Sequence, residues 1–343
     1  MKVAVYYSNK DIRIEERPVP SLSDGEILVE MKVSGICGTD VMEWYRIKKA
    51  PRVLGHEMAG EIAEVGNKVE KFKKGDRVFV SHHVPCFKCH YCVHGNYTAC
   101  ESLHTGNYEP GGFSEFIRVP EDNVRLGTFL LPDTITYEEA AMIEPLACAI
   151  AGQDRLGLKK DQTVFVIGSG VSGILHIQMA KHKGVKVIAA DIDEYRMKRA
   201  TEFGANHVID AGQYSVEKLK GLNDNRPADA VIVCATAKQA IENALFSVAR
   251  RGNILFFAVP ETDIRIPSLQ FWRDEITVTF SYGAAPDDLR KAIELINSRR
   301  IAVGKMITHR VLFSDIMHGF KLVTEAKESL KIVVVPDNGP PAA

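Results

Sequence analysis

No stretch of the 343 residues reaches the roughly 18 consecutive apolar positions that a membrane-spanning helix needs. Neither sign of charge dominates: 43 Lys and Arg stand against 44 Asp and Glu, a net charge of -1. That balance leaves no electrostatic footprint for a nucleic-acid or anionic-membrane partner. Met1 to Val5 enters a strand-like pattern directly, without the charged and apolar regions of a secretory signal. The expectation is a cytoplasmic protein with neither kind of partner. Internal repeats and low-complexity segments are also absent.

Hydrophobic residues make up 45% of the chain, enough for a large core, and the length exceeds one usual domain. Up to about residue 145 the pattern is rich in strands and loops, with short apolar runs such as Glu26 to Val33 and Arg77 to Val80. The rhythm then changes. Thr163 to Ile167, Lys186 to Ala190, His207 to Ile209, Ala230 to Cys234 and Asn253 to Phe257 read as strands. Helical stretches over Val171 to Lys183 and Lys238 to Ala249 separate some of them. Such alternation implies βαβ units and a parallel sheet. A helix over Asp287 to Ser298 and an apolar strand over Lys331 to Val335 follow. Asp337 to Ala343, polar and rich in Pro and Gly, reads as a tail.

Gly168-Ser169-Gly170-Val171-Ser172-Gly173 sits between a predicted strand and a predicted helix. The first glycine allows the tight turn, the second lets backbone approach a pyrophosphate, and the third permits close helix–strand packing. The helix start offers free N–H groups and the positive end of a dipole. Asp191, at the end of the next strand, can accept from both ribose hydroxyls and would repel a 2′-phosphate. NAD is therefore the expected cofactor. Arg196 lies close enough in sequence to bear on that choice. Val259, just past the strand ending at Phe257, completes the cofactor set.

Of the seven cysteines, four crowd into residues 86 to 100: Cys86, Cys89, Cys92 and Cys100. In a reducing compartment that spacing favours metal over disulfides. Four thiolates complete a tetrahedral zinc shell, so this site is expected to be structural. His82, His83, His90 and His94 flank the cluster and are read as surface residues. Cys37 lies in Gly35-Ile36-Cys37-Gly38-Thr39-Asp40, and His56 and Glu57 lie in Gly55-His56-Glu57. A lone cysteine after a strand is ordinarily core, and a His-Glu pair is ordinarily surface. Together they offer a mixed S/N/O set suited to a zinc ion with an open position.

Taken in order, Gly-Ile-Cys-Gly-Thr-Asp, Gly-His-Glu-Met-Ala-Gly-Glu-Ile, the four-cysteine loop and Gly-Ser-Gly-Val-Ser-Gly resemble the medium-chain zinc-dependent alcohol dehydrogenases, from about Met1 to Pro336. Ile143-Glu144-Pro145-Leu146 resembles the sorbitol (polyol) dehydrogenase branch, with the threonine dehydrogenases as near relatives. The resemblance implies an α/β protein: a GroES-like β-barrel catalytic domain over 1–147 and 282–337, a doubly wound Rossmann domain over 148–281, and a flexible tail over 338–343. It implies two zinc ions per chain, one catalytic and one structural, and assembly as a homotetramer. Glu144 replaces the second zinc cysteine of simple alcohol dehydrogenases, which favours it over the nearby Cys148. Glu57 or Glu144 is the third ligand beside Cys37 and His56.

The implied chemistry is oxidation of a secondary alcohol on a polyol, cyclitol, sugar derivative or hydroxy amino acid. Zinc lowers the pKa of the substrate hydroxyl and hydride passes to the nicotinamide. Thr39 stands where the family passes the alcohol proton outward. Two departures stand out. Met42 replaces a relay histidine, leaving Glu43, another group or water to carry the proton, or the cofactor ribose as its exit. Ser281 falls in the Thr279-Phe280-Ser281-Tyr282 stretch, where sorbitol dehydrogenases have an arginine, which argues against sorbitol itself. Trp44, Tyr45 and Tyr108 are candidates for the pocket wall. Two other readings are a non-catalytic NAD(H)-binding redox sensor on a zinc scaffold, and a zinc-free quinone or enoyl reductase.

Overall fold

The structure, a computed structural model, describes residues 1–338; Gly339 to Ala343, in the expected tail, lie outside the described residues. Asp337, read with that tail, is held instead. Its carboxylate accepts from the Ser314 N–H at 2.8 Å and pairs with Lys2 at 2.9 Å. Among the described residues no helix is long and apolar enough to cross a membrane.

The chain forms two compact units, one over 1–144 and from 284 onward, the other over 145–283. The sequence reading set these joins at 147/148 and 281/282. The first join falls at Pro145, two residues into the helix Ile143–Asp154.

The first unit carries a mixed sheet whose order runs Ile307–Leu312, Lys331–Val335, Ile27–Gly35, Glu57–Val65, Arg77–Val80, Thr128–Leu130. Phe116–Val119 also pairs with Ile27–Gly35. A smaller sheet pairs Lys2–Ser8 with Asp11–Glu16 and Arg52–Val53. Val29, Met31, Ile62, Val78 and Ile117 are fully or nearly fully buried in the core between them. The register places three strands side by side at one level: Glu57 stands opposite Gly35, and Gly35 opposite Val333.

The second unit is a wholly parallel six-stranded sheet. Its order is His207–Asp210, Lys186–Asp191, Thr163–Ile167, Ala228–Val233, Val248–Phe256, Thr277–Phe280. Numbered along the unit, that is 3-2-1-4-5-6, the doubly wound arrangement with a switch point beside the first strand. Its central strands Thr163–Ile167 and Ala228–Val233 read as nearly continuous apolar runs, as in a sheet covered on both faces. The stretch to Ala249 is not all helical. The helix stops at Ser247, and the chain turns straight into the strand Val248–Phe256.

Candidate active site

In the first unit the strand Ile27–Gly35 delivers Cys37 just past its end, and the strand Glu57–Val65 begins at Glu57, directly after His56. Ligand atoms of Cys37, His56 and Glu57 lie within 4.8 Å of one another. With Zn–S near 2.3 Å and Zn–N near 2.0 Å, donors around one zinc sit roughly 3.5 Å apart, so this set fits the ion. Glu144 does not join the group. Its charge is felt instead at Tyr108.

Groups that the sequence reading gave no role hold the three donors. Asp40 is fully buried, accepts from the Cys37 N–H at 3.0 Å, and lies 3.5 Å from His56 Nδ1. A carboxylate there orients the imidazole and leaves Nε2 for a metal. Burial works against the Asp40 charge, but His56, Arg46 and the Cys37 N–H outweigh it and lower its pKa. Burial likewise disfavours a charged His56, yet Asp40 and Cys37 raise its pKa well above the ordinary value in the metal-free protein.

Glu57 is ion-paired with Lys331, and each is 1% exposed. Lys331 also donates to the Ile36 carbonyl at 3.1 Å. The pair crosses the middle strand at Gly35, where no side chain intervenes. A Cβ on Gly35 would strike Glu57 Oε2 and come within 2.7 Å of Lys331 Cε. The pairing places a cation behind the one carboxylate of the donor set.

Thr39 lies against Cys37, its hydroxyl 3.3 Å from Cys37 Sγ. Glu43 does not reach it. That carboxylate accepts from the Asn9 N–H at 3.0 Å. Arg46 does reach it, donating to Thr39 Oγ1 at 3.0 Å and to the Thr39 carbonyl at 2.8 Å. An arginine only donates. The Thr39 hydroxyl therefore accepts from Arg46 and directs its own proton toward the donor cluster.

The flanking histidines divide. His90 and His94 are exposed beside the four-cysteine loop. His82, read as a surface residue of that loop, packs instead against the other cluster, 5.1 Å from the His56 ring and 6.2 Å from the Tyr108 ring. Burial lowers its pKa well below the ordinary histidine value, with nearby cationic groups adding to the effect. Tyr108 is 1% exposed, and burial, then Glu144, Asp40 and Glu57, hold its phenol well above its usual pKa. Trp44 and Tyr45 are 37% and 38% exposed and stack edge to face at 5.8 Å.

The sulfurs of Cys86, Cys89, Cys92 and Cys100 also lie within 4.8 Å of one another. Their local core is only Cys92, Cys100 and Leu103, with Tyr97 against it. A loop so poor in apolar contacts is the kind that a bound metal can stabilise. Burial opposes ionisation of Cys100, but N–H groups of Cys86 and Leu103 bring its pKa down to about 6; Cys92 is pushed up to about 12 by burial.

In the second unit Gly168 ends the first strand at φ +92°, a conformation that favours glycine. A Cβ on Gly173 would collide with the Gly168 carbonyl, while one on Gly170 would meet nothing. The helix Val171–His182 has no side-chain cap, so its first N–H groups face that open side. Asp191 accepts from the Ser169 N–H at 2.6 Å and the Asp193 N–H at 3.1 Å, which locks the turn to the end of the second strand. Arg196 Nε is buried without a partner. Val259 is 43% exposed. This turn fits a dinucleotide pyrophosphate.

Two family models match the chain: the alcohol dehydrogenase GroES-like domain over residues 23–129 and the zinc-binding dehydrogenase model over 172–298. Sorbitol dehydrogenase of Bacillus subtilis (strain 168) is 32% identical over 98% of both chains. The chain belongs to the zinc-dependent medium-chain alcohol dehydrogenase family. Within it the sequence sits in the sorbitol dehydrogenase-like branch. The crystal structure of 2R,3R-butanediol dehydrogenase from Bacillus subtilis superposes with a TM-score of 0.86 at 27% identity, covering 98% of this chain and 99% of that one. A putative zinc-binding dehydrogenase from Sinorhizobium meliloti 1021, bound to NADP, gives 0.86 at 26% identity, with the same 98% and 99% coverage. The family is one of oxidoreductases, and the fold expectation of a GroES-like domain with a Rossmann domain holds.

Proposed function

We propose that this protein oxidises a secondary alcohol of a polyol-type substrate with NAD as hydride acceptor. The observation that carries the reading is the assembly of Cys37, His56 and Glu57 from separate segments into one donor set. The donors match a zinc ion with an open coordination position. Zinc bound there supplies Lewis acidity to the substrate hydroxyl. The chain's own part is to hold the donors and the proton. Asp40 orients His56, Lys331 balances Glu57, and Thr39, fixed by Arg46, presents its hydroxyl at the cluster.

A second zinc in the four-cysteine loop makes two per chain. NAD is favoured over NADP because a carboxylate at Asp191, at the end of the second strand, would repel a 2′-phosphate. The Sinorhizobium neighbour with NADP and the buried, unpaired Nε of Arg196 make that choice a direct point of measurement. A sorbitol dehydrogenase and a butanediol dehydrogenase among the relatives support polyols and diols as the substrate class. Ser281 still argues against sorbitol itself.

Self-assembly, proposed as a tetramer, is supported by Leu269 and Trp272, each 79% exposed, near the edge strand Thr277–Phe280. Seven cysteines with no disulfide among the described residues suit a reducing compartment such as the cytoplasm. The redox-sensor alternative is not favoured, since a sensor has no need of an assembled Cys-His-Glu set.

The test is NAD reduction by the zinc-loaded protein across polyols, inositols, sugar acids and threonine. At least one is expected to yield NADH at a rate abolished by pyridine-2,6-dicarboxylate. No NADH from any of them, with both zinc ions present, would contradict the reading.

A further inference from the structure

Two polar atoms beside the Cys37–His56–Glu57 cluster have no partner: Tyr108 Oη and His82 Nδ1 are both buried and unpaired among the described residues. Leaving such a group unpaired in a protein interior is costly, and native structures keep few of them outside working sites. These two are neighbours, ring to ring at 6.2 Å, and His82 in turn lies 5.1 Å from the ring of the ligand candidate His56. They therefore form one polar cluster with the candidate ligand His56.

We propose that Tyr108 and His82 form a subsite for a second hydroxyl, on the carbon next to the one oxidised. The proposal rests on the dehydrogenase reading above and narrows its substrates to vicinal diols. A phenol can both give and take a hydrogen bond, and an alcohol hydroxyl can do the same, so the two match in kind. A simple secondary alcohol leaves both buried atoms unpaired and loses the discrimination a hydroxyl-reading site supplies.

The experiment compares 2,3-butanediol with 2-butanol, which differ by that one hydroxyl. Wild type and the Tyr108→Phe and His82→Phe variants are assayed for kcat/KM. Binding of each alcohol to the zinc-loaded, NADH-saturated protein is followed by calorimetry. Wild type should prefer the diol. Tyr108→Phe should cut kcat/KM and affinity for the diol roughly tenfold and leave 2-butanol within about twofold, consistent with one neutral hydrogen bond. His82→Phe should act in the same direction. The melting temperature of Tyr108→Phe should hold or rise, because it removes an unpaired buried hydroxyl; a purely structural tyrosine would lower it. Equal losses on both alcohols, no loss on the diol, or no diol binding by wild type would overturn the subsite. Diol binding that Tyr108→Phe weakens, without NAD reduction by wild type, would keep the subsite and overturn the dehydrogenase reading.

Discussion

The first unit holds two cysteine-bearing clusters built in opposite ways. The loop cluster takes all four ligands from residues 86 to 100, and its local core is little more than its own sulfurs and Leu103. The other draws Cys37 and the His56–Glu57 pair from two strand ends and is held by Asp40, Arg46 and Lys331. The first is closed: four thiolates fill a zinc shell. The second offers three donors and borders two unpaired buried polar groups. A closed cluster can be written in one short segment, because the metal does the folding. An open one needs a rigid frame, because geometry must survive while a ligand position stays free.

The strongest way to break this contrast is to attack the frame of the open cluster. Lys331→Met leaves Glu57 buried without its cation, which costs about 3–5 kcal/mol. Urea unfolding should show that loss, and adding Glu57→Gln should restore much of it. An unchanged midpoint in Lys331→Met would mean the pair carries no structural weight.

Next in size is Thr39. Thr39→Ala should lower kcat by roughly 10²-fold, the low end for a positioned proton-transfer group. Thr39→Ser, which keeps the hydroxyl that Arg46 holds, should retain most of the rate. Full activity in Thr39→Ala would remove the residue from the proton path.

The smallest effect concerns protons competing with metal. In the metal-free protein His56 has a raised pKa, so below that pKa zinc must displace a proton, and above it there is none to displace. The zinc affinity of the open site should therefore fall by about tenfold per pH unit for this proton as pH drops through that range. Chelator competition at two pH values measures it. Asp40→Asn, which takes away the main charge holding the proton on His56, should flatten the dependence. An identical slope in Asp40→Asn would contradict the role given to Asp40.

The same contrast explains what could be read from the sequence. The four-cysteine loop and the glycine turn are local, with ligand spacing and strand–turn–helix context printed in consecutive residues. The strands Thr163–Ile167 and Lys331–Val335 were also legible from their apolar runs. The frame of the open cluster was not. Lys331 opens an apolar strand and looks like a solvent-facing end. Only the register across Gly35 turns it toward Glu57. His82 misled by proximity, since only three residues separate it from Cys86 in sequence while its ring lies near that of His56 in space. Arg46 gave no signal in a surface-like helical stretch. Asp40 did give one, three residues after Cys37 in a motif that was quoted, and a capping-box reading of Cys37 to Asp40 would have found it.

The central claim is that the two clusters hold separate zinc ions with separate tasks. Metal analysis of wild type beside Cys37→Ser tests it most directly. Wild type should carry about two zinc per chain. Cys37→Ser should keep about one, in the four-cysteine loop, with its fold intact and its NAD reduction gone. A variant that retained both ions, or a wild type that bound only one while reducing NAD, would contradict the account.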